Sequence, residues 1–112
     1  MEHYNFFEVF YLLLIAHAVC DFALQTDYVA QAKNRHTELG KDVWWMVLPA
    51  HALIHAGGTY FVTQSIPLSL IQLVTHVTID YKKCEGEFGY VVDQAMHVGV
   101  LLLIAVIYVN IK

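Results

Sequence analysis

Hydrophobic residues along this chain gather into four long runs separated by short polar breaks. Phe6 to Leu24, Val43 to Thr63 and Phe88 to Ile111 reach or nearly reach the roughly 30 Å hydrocarbon thickness of a bilayer, at about 1.5 Å per helical residue. The run Ile66 to Tyr81 is shorter. It either crosses where the bilayer thins or is buried among the others. The pattern predicts helices over 6–24, 43–63, 66–81 and 88–111, the first continuing as a polar helical stretch through Gln25, Asp27, Gln31 and Lys33. Asn34 to Lys41 reads as a polar connection with a helix-stopping Gly40. Gln64-Ser65-Ile66-Pro67 reads as a tight turn, with Pro67 suited to a first helical turn. Lys82 to Gly89 is a charged connection containing glycine, and Pro49 predicts a kink inside the second run.

The polar residues inside the runs are not scattered. His17 and Asp21, His51 and His55, His76 and Asp80, and Asp93 and His97 are each four residues apart, which on a helix places both side chains on one face, a turn apart. Shuffling the histidines and aspartates of a chain this long gives roughly one such pair. Here every run carries one.

Composition agrees with a lipid solvent. Of 112 residues, 58% are hydrophobic and only 14% are charged, against about 45–50% and about 25% in ordinary globular domains. One domain spanning 1–112 is expected, all-α, an integral membrane four-helix up-down bundle. The net charge of −4 comes without a basic cluster, so nucleic acid is not an expected partner. Cys20 and Cys84 are too differently placed to pair. The first run lacks a basic start and is read as retained rather than as a cleaved signal peptide.

Lysine and arginine set an expected orientation. Lys33, Arg35 and Lys41 lie in the first connection and Lys82 and Lys83 in the third, whereas the second carries no charge. The positive-inside rule puts connections one and three in the cytoplasm and both termini outside. Three of the four pairs then share a depth near the cytoplasmic face, with His51 and His55 deeper. Trp44, Trp45, Tyr81 and Tyr90 form an expected interfacial aromatic belt. Ala52, Ala56, Gly57 and Gly58 allow close helix approach, within the bundle or in a homodimer.

Ionisable groups cost at least about 2.5–3.5 kcal/mol each in a membrane helix, so they face one another or a cavity. Five histidines and three aspartates meeting in a bundle form a nitrogen and oxygen ligand set suited to zinc, iron or manganese, one or two divalent ions in number. The expected metal ligands are His17, Asp21, His51, His55, His76, Asp80, Asp93 and His97. Gln25 is expected to support them or to touch substrate, and Gln94, about 100° from Asp93 around its helix, to support them or to reach a neighbouring helix. Asp27, Asp42, His3 and His36 are expected at the solvated edges, and Cys20 as packing.

The motifs His17-x3-Asp21-Phe22-x-Leu24-Gln25, His51-x3-His55, His76-x2-Ile79-Asp80-x2-Lys83 and Asp93-Gln94-x2-His97 resemble the DUF3307 family, small membrane proteins from bacteria and their phages. More distantly the chain is similar to YdjM-like membrane-bound metal-dependent hydrolases. The resemblance implies the inner membrane of a bacterium or phage-infected host, and a metal-dependent activity.

Three functions follow as expectations. The leading one is a membrane-embedded metal-dependent hydrolase acting on a lipid or other membrane-anchored ester or phosphoester at the cytoplasmic leaflet, its metal lowering the pKa of bound water to about 7. If all eight groups bind metal no obvious base remains, so either the metal-activated water acts alone, or Asp80 or Asp93, nearest the interface, is the catalytic base instead of a ligand. The second is a non-enzymatic, metal-stapled interaction protein such as a phage factor acting on a host membrane protein. The third is a divalent-metal or proton transport element, disfavoured by the apolar outer halves of the runs.

Overall fold

The structure, a computed structural model, describes residues 3–112. Among these residues the chain is all-α, with no strand.

Helix α1, Phe6–Ala18, starts at a reciprocal cap. The Asn5 side chain accepts from the Glu8 backbone N–H at 2.9 Å, and the Glu8 carboxylate accepts from the Asn5 N–H at 2.9 Å, an arrangement that holds a helix start by about 1 kcal/mol. Its last turn widens into a π-helical segment, Val19–Ala23, that contains Asp21. Such widened turns recur at functional sites. The expected continuous helix through Lys33 is not formed. The chain turns after Leu24 and starts a separate short helix α2, Asp27–Ala32, where the Thr26 hydroxyl accepts from the Val29 N–H at 3.2 Å. A threonine cap competes with helix continuation, because its side chain satisfies the free N–H groups of a new start.

Gly40 does not stop a helix either, since α2 ends at Ala32. It sits inside a tight loop where a Cβ would lie 1.8 Å from the Asn34 carbonyl oxygen, so only glycine fits that close approach. Helix α3, Trp44–Thr63, runs through Pro49 and ends at Gln64, whose φ of 55° is left-handed. Helix α4, Ile66–Cys84, is capped by Ser65 with Pro67 in its first turn as expected. It extends three residues past Tyr81. Lys82 and Lys83 favour its negative C-terminal end, and Gly86, at φ 80°, closes it: the Gly86 and Glu87 N–H groups donate to the Lys83 and Lys82 carbonyls. Helix α5 is Tyr90–Ile111.

The four long helices pack in the cyclic order α1, α3, α4, α5, and α5 returns to α1. One end of this ring is filled by Val9, Leu13, Leu68, Leu101, Ile104, Ala105 and Tyr108, and the Tyr108 hydroxyl accepts from the Tyr4 N–H at 3.1 Å. Phe6–Ala23 and Tyr90–Ile111 are long and apolar enough to cross a membrane. Only 22% and 28% of their residues are buried, so their apolar surface points away from the protein. Phe7, Phe61 and Val91 are each more than three-quarters exposed.

Candidate metal centre

The other end of the ring is built from the four i, i+4 pairs, and helix starts set their level. α3 begins at Trp44, so His51 lies about 10 Å along it, beside Asp80 near the end of α4 and Asp93 in the first turn of α5. The depth difference expected for His51 and His55 disappears: all four pairs lie in one layer.

Asp21 is the first centre of that layer. Its Oδ1 is 3.1 Å from His55 Nε2 and 3.4 Å from His51 Nε2, and its Oδ2 is 3.5 Å from His17 Nε2. Asp80 is the second. Its Oδ2 lies 3.3 Å from His76 Nε2 and 3.7 Å from His51 Nε2, and its Oδ1 lies 3.4 Å from His97 Nε2. Asp93 Oδ1 is 3.3 Å from His97 Nε2. The imidazoles are close neighbours, with His55 and His76 stacked at 3.8 Å between ring centroids.

Two groups of donor atoms could hold a metal ion, Asp21 with His51, His55 and His76, and His76 with Asp80 and His97; the donors of each lie within 4.8 Å of one another. Six of the eight expected ligands therefore fall in compact groups that share His76. His17 and Asp93 stand one contact outside, and Gln94 joins them. The Gln94 side-chain N–H donates to Asp21 Oδ2 at 3.0 Å and to Asp93 Oδ2 at 3.2 Å, while its carbonyl oxygen is 3.2 Å from His17 Nε2.

The hydrogen bonding of this layer is incomplete in the way a cation would complete it. Both ring nitrogens of His51 and of His76, Nδ1 of His17 and His55, and Asp93 Oδ1 are buried without a hydrogen-bond partner. A buried polar group left unpaired costs about 1–3 kcal/mol, and native interiors leave few of them. The Nε2 atoms of His51 and His76 come within 3.3–3.7 Å of carboxylate oxygens yet are not aligned to bond them. Lone pairs converging on shared space rather than on one another suit a divalent ion, and the mixed imidazole and carboxylate set suits zinc, iron or manganese.

One participant was not expected from sequence. Lys33, assigned to a solvated connection, reaches back from the end of α2: its Nζ donates to Asp80 Oδ2 at 2.9 Å and to Gln25 Oε1 at 2.6 Å. Gln25 thus meets the side chains of the layer through Lys33, and its own amide N–H reaches only the Asp21 backbone carbonyl, at 3.5 Å. Lys33, Asp80, Asp21, Asp93, Gln25, Gln94, Phe22, Tyr90 and Lys83 line a cavity of about 140 Å³. It opens beside the histidines at the end where the charged connections lie.

The remaining residues frame the site. Arg35 of the first connection grips Glu85 of the third through two N–H groups at 2.8 and 2.5 Å, and His36 adds a contact at 2.6 Å. The Arg35 hydrogen bonds hold the Glu85 carboxyl down to about 2. His36 is exposed as expected but is tied to this clamp. Cys20 is buried with its Sγ 3.6 Å from the Ile54 carbonyl oxygen, and both cysteines are free. Gly58 faces Ala16 of α1 and Cys20 of the π-helical segment, and the Ser69 hydroxyl donates to the Ala56 carbonyl at 2.8 Å. The Trp44 ring packs against Tyr81 at a tilt, 5.9 Å between centroids, whereas Trp45 and Tyr90 are exposed.

The profile of the family described as "Protein of unknown function (DUF3307)" matches residues 9–112; the chain belongs to that family. No curated protein and no solved structure matches it.

Proposed function

We propose that this protein is a membrane-embedded, metal-dependent hydrolase that opens to the cytoplasmic leaflet. The observation that carries the reading is the meeting of three His/Asp pairs and one His/His pair in one buried layer with unpaired donors, beside a polar cavity. A bundle with apolar residues on its outside and ionisable ones inside is the arrangement lipid favours. The lysines and Arg35 of connections one and three favour placing the cavity at the cytoplasmic headgroups of an inner membrane, with both termini opposite. All four long helices then span the bilayer.

In this reading Asp21, His51, His55, His76, Asp80 and His97 hold one or two divalent ions. A bound ion supplies Lewis acidity towards the ester and a more acidic water. Asp93 is the base: it lines the cavity, it stands outside both compact donor groups, and its buried Oδ1 has no hydrogen-bond partner. Gln94 orients that carboxylate through Oδ2. Oδ1 takes a proton from water as the water oxygen bonds to the ester carbon or phosphorus, the ester bond breaks, and the departing alkoxide takes that proton from Asp93, which restores the carboxylate.

Purified protein should carry metal by element-resolved analysis and turn over a lipid-ester or lipid-phosphoester substrate. Asp93→Asn should keep the metal and lose about 10²–10⁴-fold in rate, the usual contribution of a positioned base. Metal-loaded protein without Asp93-sensitive turnover across such a panel refutes the assignment. A structural ion in a metal-stapled interaction protein is the second reading, favoured by the Lys33 ammonium lying on Asp80 from the cavity side. Transport is disfavoured by the apolar layer that fills the opposite end of the ring.

A further inference from the structure

We infer that the cavity beside the histidine layer is a phosphoryl-binding subsite, in which Lys33 holds a non-bridging phosphate oxygen and Lys83 adds charge at the lining. This rests on the hydrolase reading and narrows its substrate from any ester to a phosphoester. Lys33 is the only cation in direct contact with the His/Asp layer among the described residues, and it comes from outside the four long helices. An ammonium has three donors, and two are used, on Asp80 and Gln25. The third remains for a ligand in the cavity that Lys33 lines.

Charge selects the ligand. Asp21, Asp80 and Asp93 border the same cavity and repel an anion unless cations offset them; two lysines, with the divalent ions of the hydrolase reading, supply that offset and are of use where the substrate is itself an anion. A neutral carboxylic ester gains little from them. Lysine is a common point-charge partner for phosphate. The side chain of Lys33 is only 12% exposed, which removes most of the screening water and strengthens its pull on a phosphoryl oxygen. A cavity of about 140 Å³ holds the space of roughly four to five waters. That admits a phosphoryl group and leaves the rest of the substrate outside, as a lipid headgroup or as a soluble phosphate ester.

The test is calorimetric titration of inorganic phosphate into the metal-loaded full-length protein in detergent, with metal content measured for each variant. Phosphate should bind the wild type. Lys33→Met should weaken it about tenfold or more, the loss of one charged hydrogen bond, with metal content unchanged, and Lys33→Arg should recover most of it. Lys83→Met should weaken it by a few-fold. Displacement by phosphatidate micelles at lower concentration than by glycerol 3-phosphate assigns the subsite to a lipid headgroup, and the reverse order to a soluble ester; either supports it. Metal-loaded wild type that binds no phosphate, or binds it as tightly after Lys33→Met, overturns the subsite and leaves the hydrolase reading standing. Protein that takes up no metal overturns the hydrolase reading and the subsite with it.

Discussion

The two ends of the bundle are made by the same four helices with the same turn-by-turn spacing, yet they are held in opposite ways. At one end Val9, Leu13, Leu68, Leu101, Ile104 and Ala105 fill the ring with groups that need no partner. At the other, five histidines and three aspartates fill it with groups that each need one, and seven polar atoms there lack it. In the membrane setting proposed above, the apolar end would gain little from hydrophobic burial, because the outside is equally apolar, and would rest on close packing. The His/Asp end is the costly one, and it is tolerable to the extent that cations and internal hydrogen bonds satisfy it. Apolar packing thus gives the helices a fixed frame, and the frame holds mutually repelling ligands in register.

That contrast predicts separable losses. The largest is expected for Asp80→Ala, which removes the carboxylate shared by His76, His97 and Lys33: metal affinity should fall by more than about 100-fold, beyond the usual effect of deleting a group behind a ligand, as read by competition with a chelating dye. Leu101→Ala at the opposite end should lower stability by about 2 kcal/mol, the low end for a buried leucine, as the proposed membrane setting would have lipid replace water outside. Its metal content should be unchanged. If metal is lost as well, the two ends are not independent.

A smaller effect separates ligands from their supports. Gln94→Leu should weaken metal binding by about tenfold through misplacement of Asp21, His17 and Asp93, leaving the number of bound ions unchanged by element analysis. The smallest is at the exposed clamp. Glu85 carries a lowered pKa, so the stability it contributes is fully present above the ordinary carboxyl value and is lost as pH falls from there through about 2. Glu85→Gln should therefore melt slightly earlier than wild type at about neutral pH, and the two curves should converge in acid.

Much of this molecule is local physics and is legible in one dimension. Long apolar runs, the Ser65-Ile66-Pro67 start of α4 and the pairing of donors four apart depend only on helical rise and rotation, which any reader of the chain can apply. The gathering of His17, Asp21, His51, His55, His76, Asp80, Asp93 and His97 in one layer follows from the same period once helix starts are known. With α3 starting at Trp44, His51 comes level with the rest.

Other features depend on contacts between segments distant in the chain. Lys33 looks like one more basic residue in a connection, and nothing in its neighbours shows that α2 folds back to lay it on Asp80, 47 positions away. Gln94 is similar. Its supporting role is expected from sequence, but its position lies off the Asp93 face, and only the approach of α1 to α5 makes Asp21, His17 and Asp93 the groups it links. The π-turn at Asp21 and the close approach at Gly40 belong here too. Periodicity states which face a side chain occupies, whereas the azimuth of each helix in the ring, and so what that face meets, is set by packing among all four.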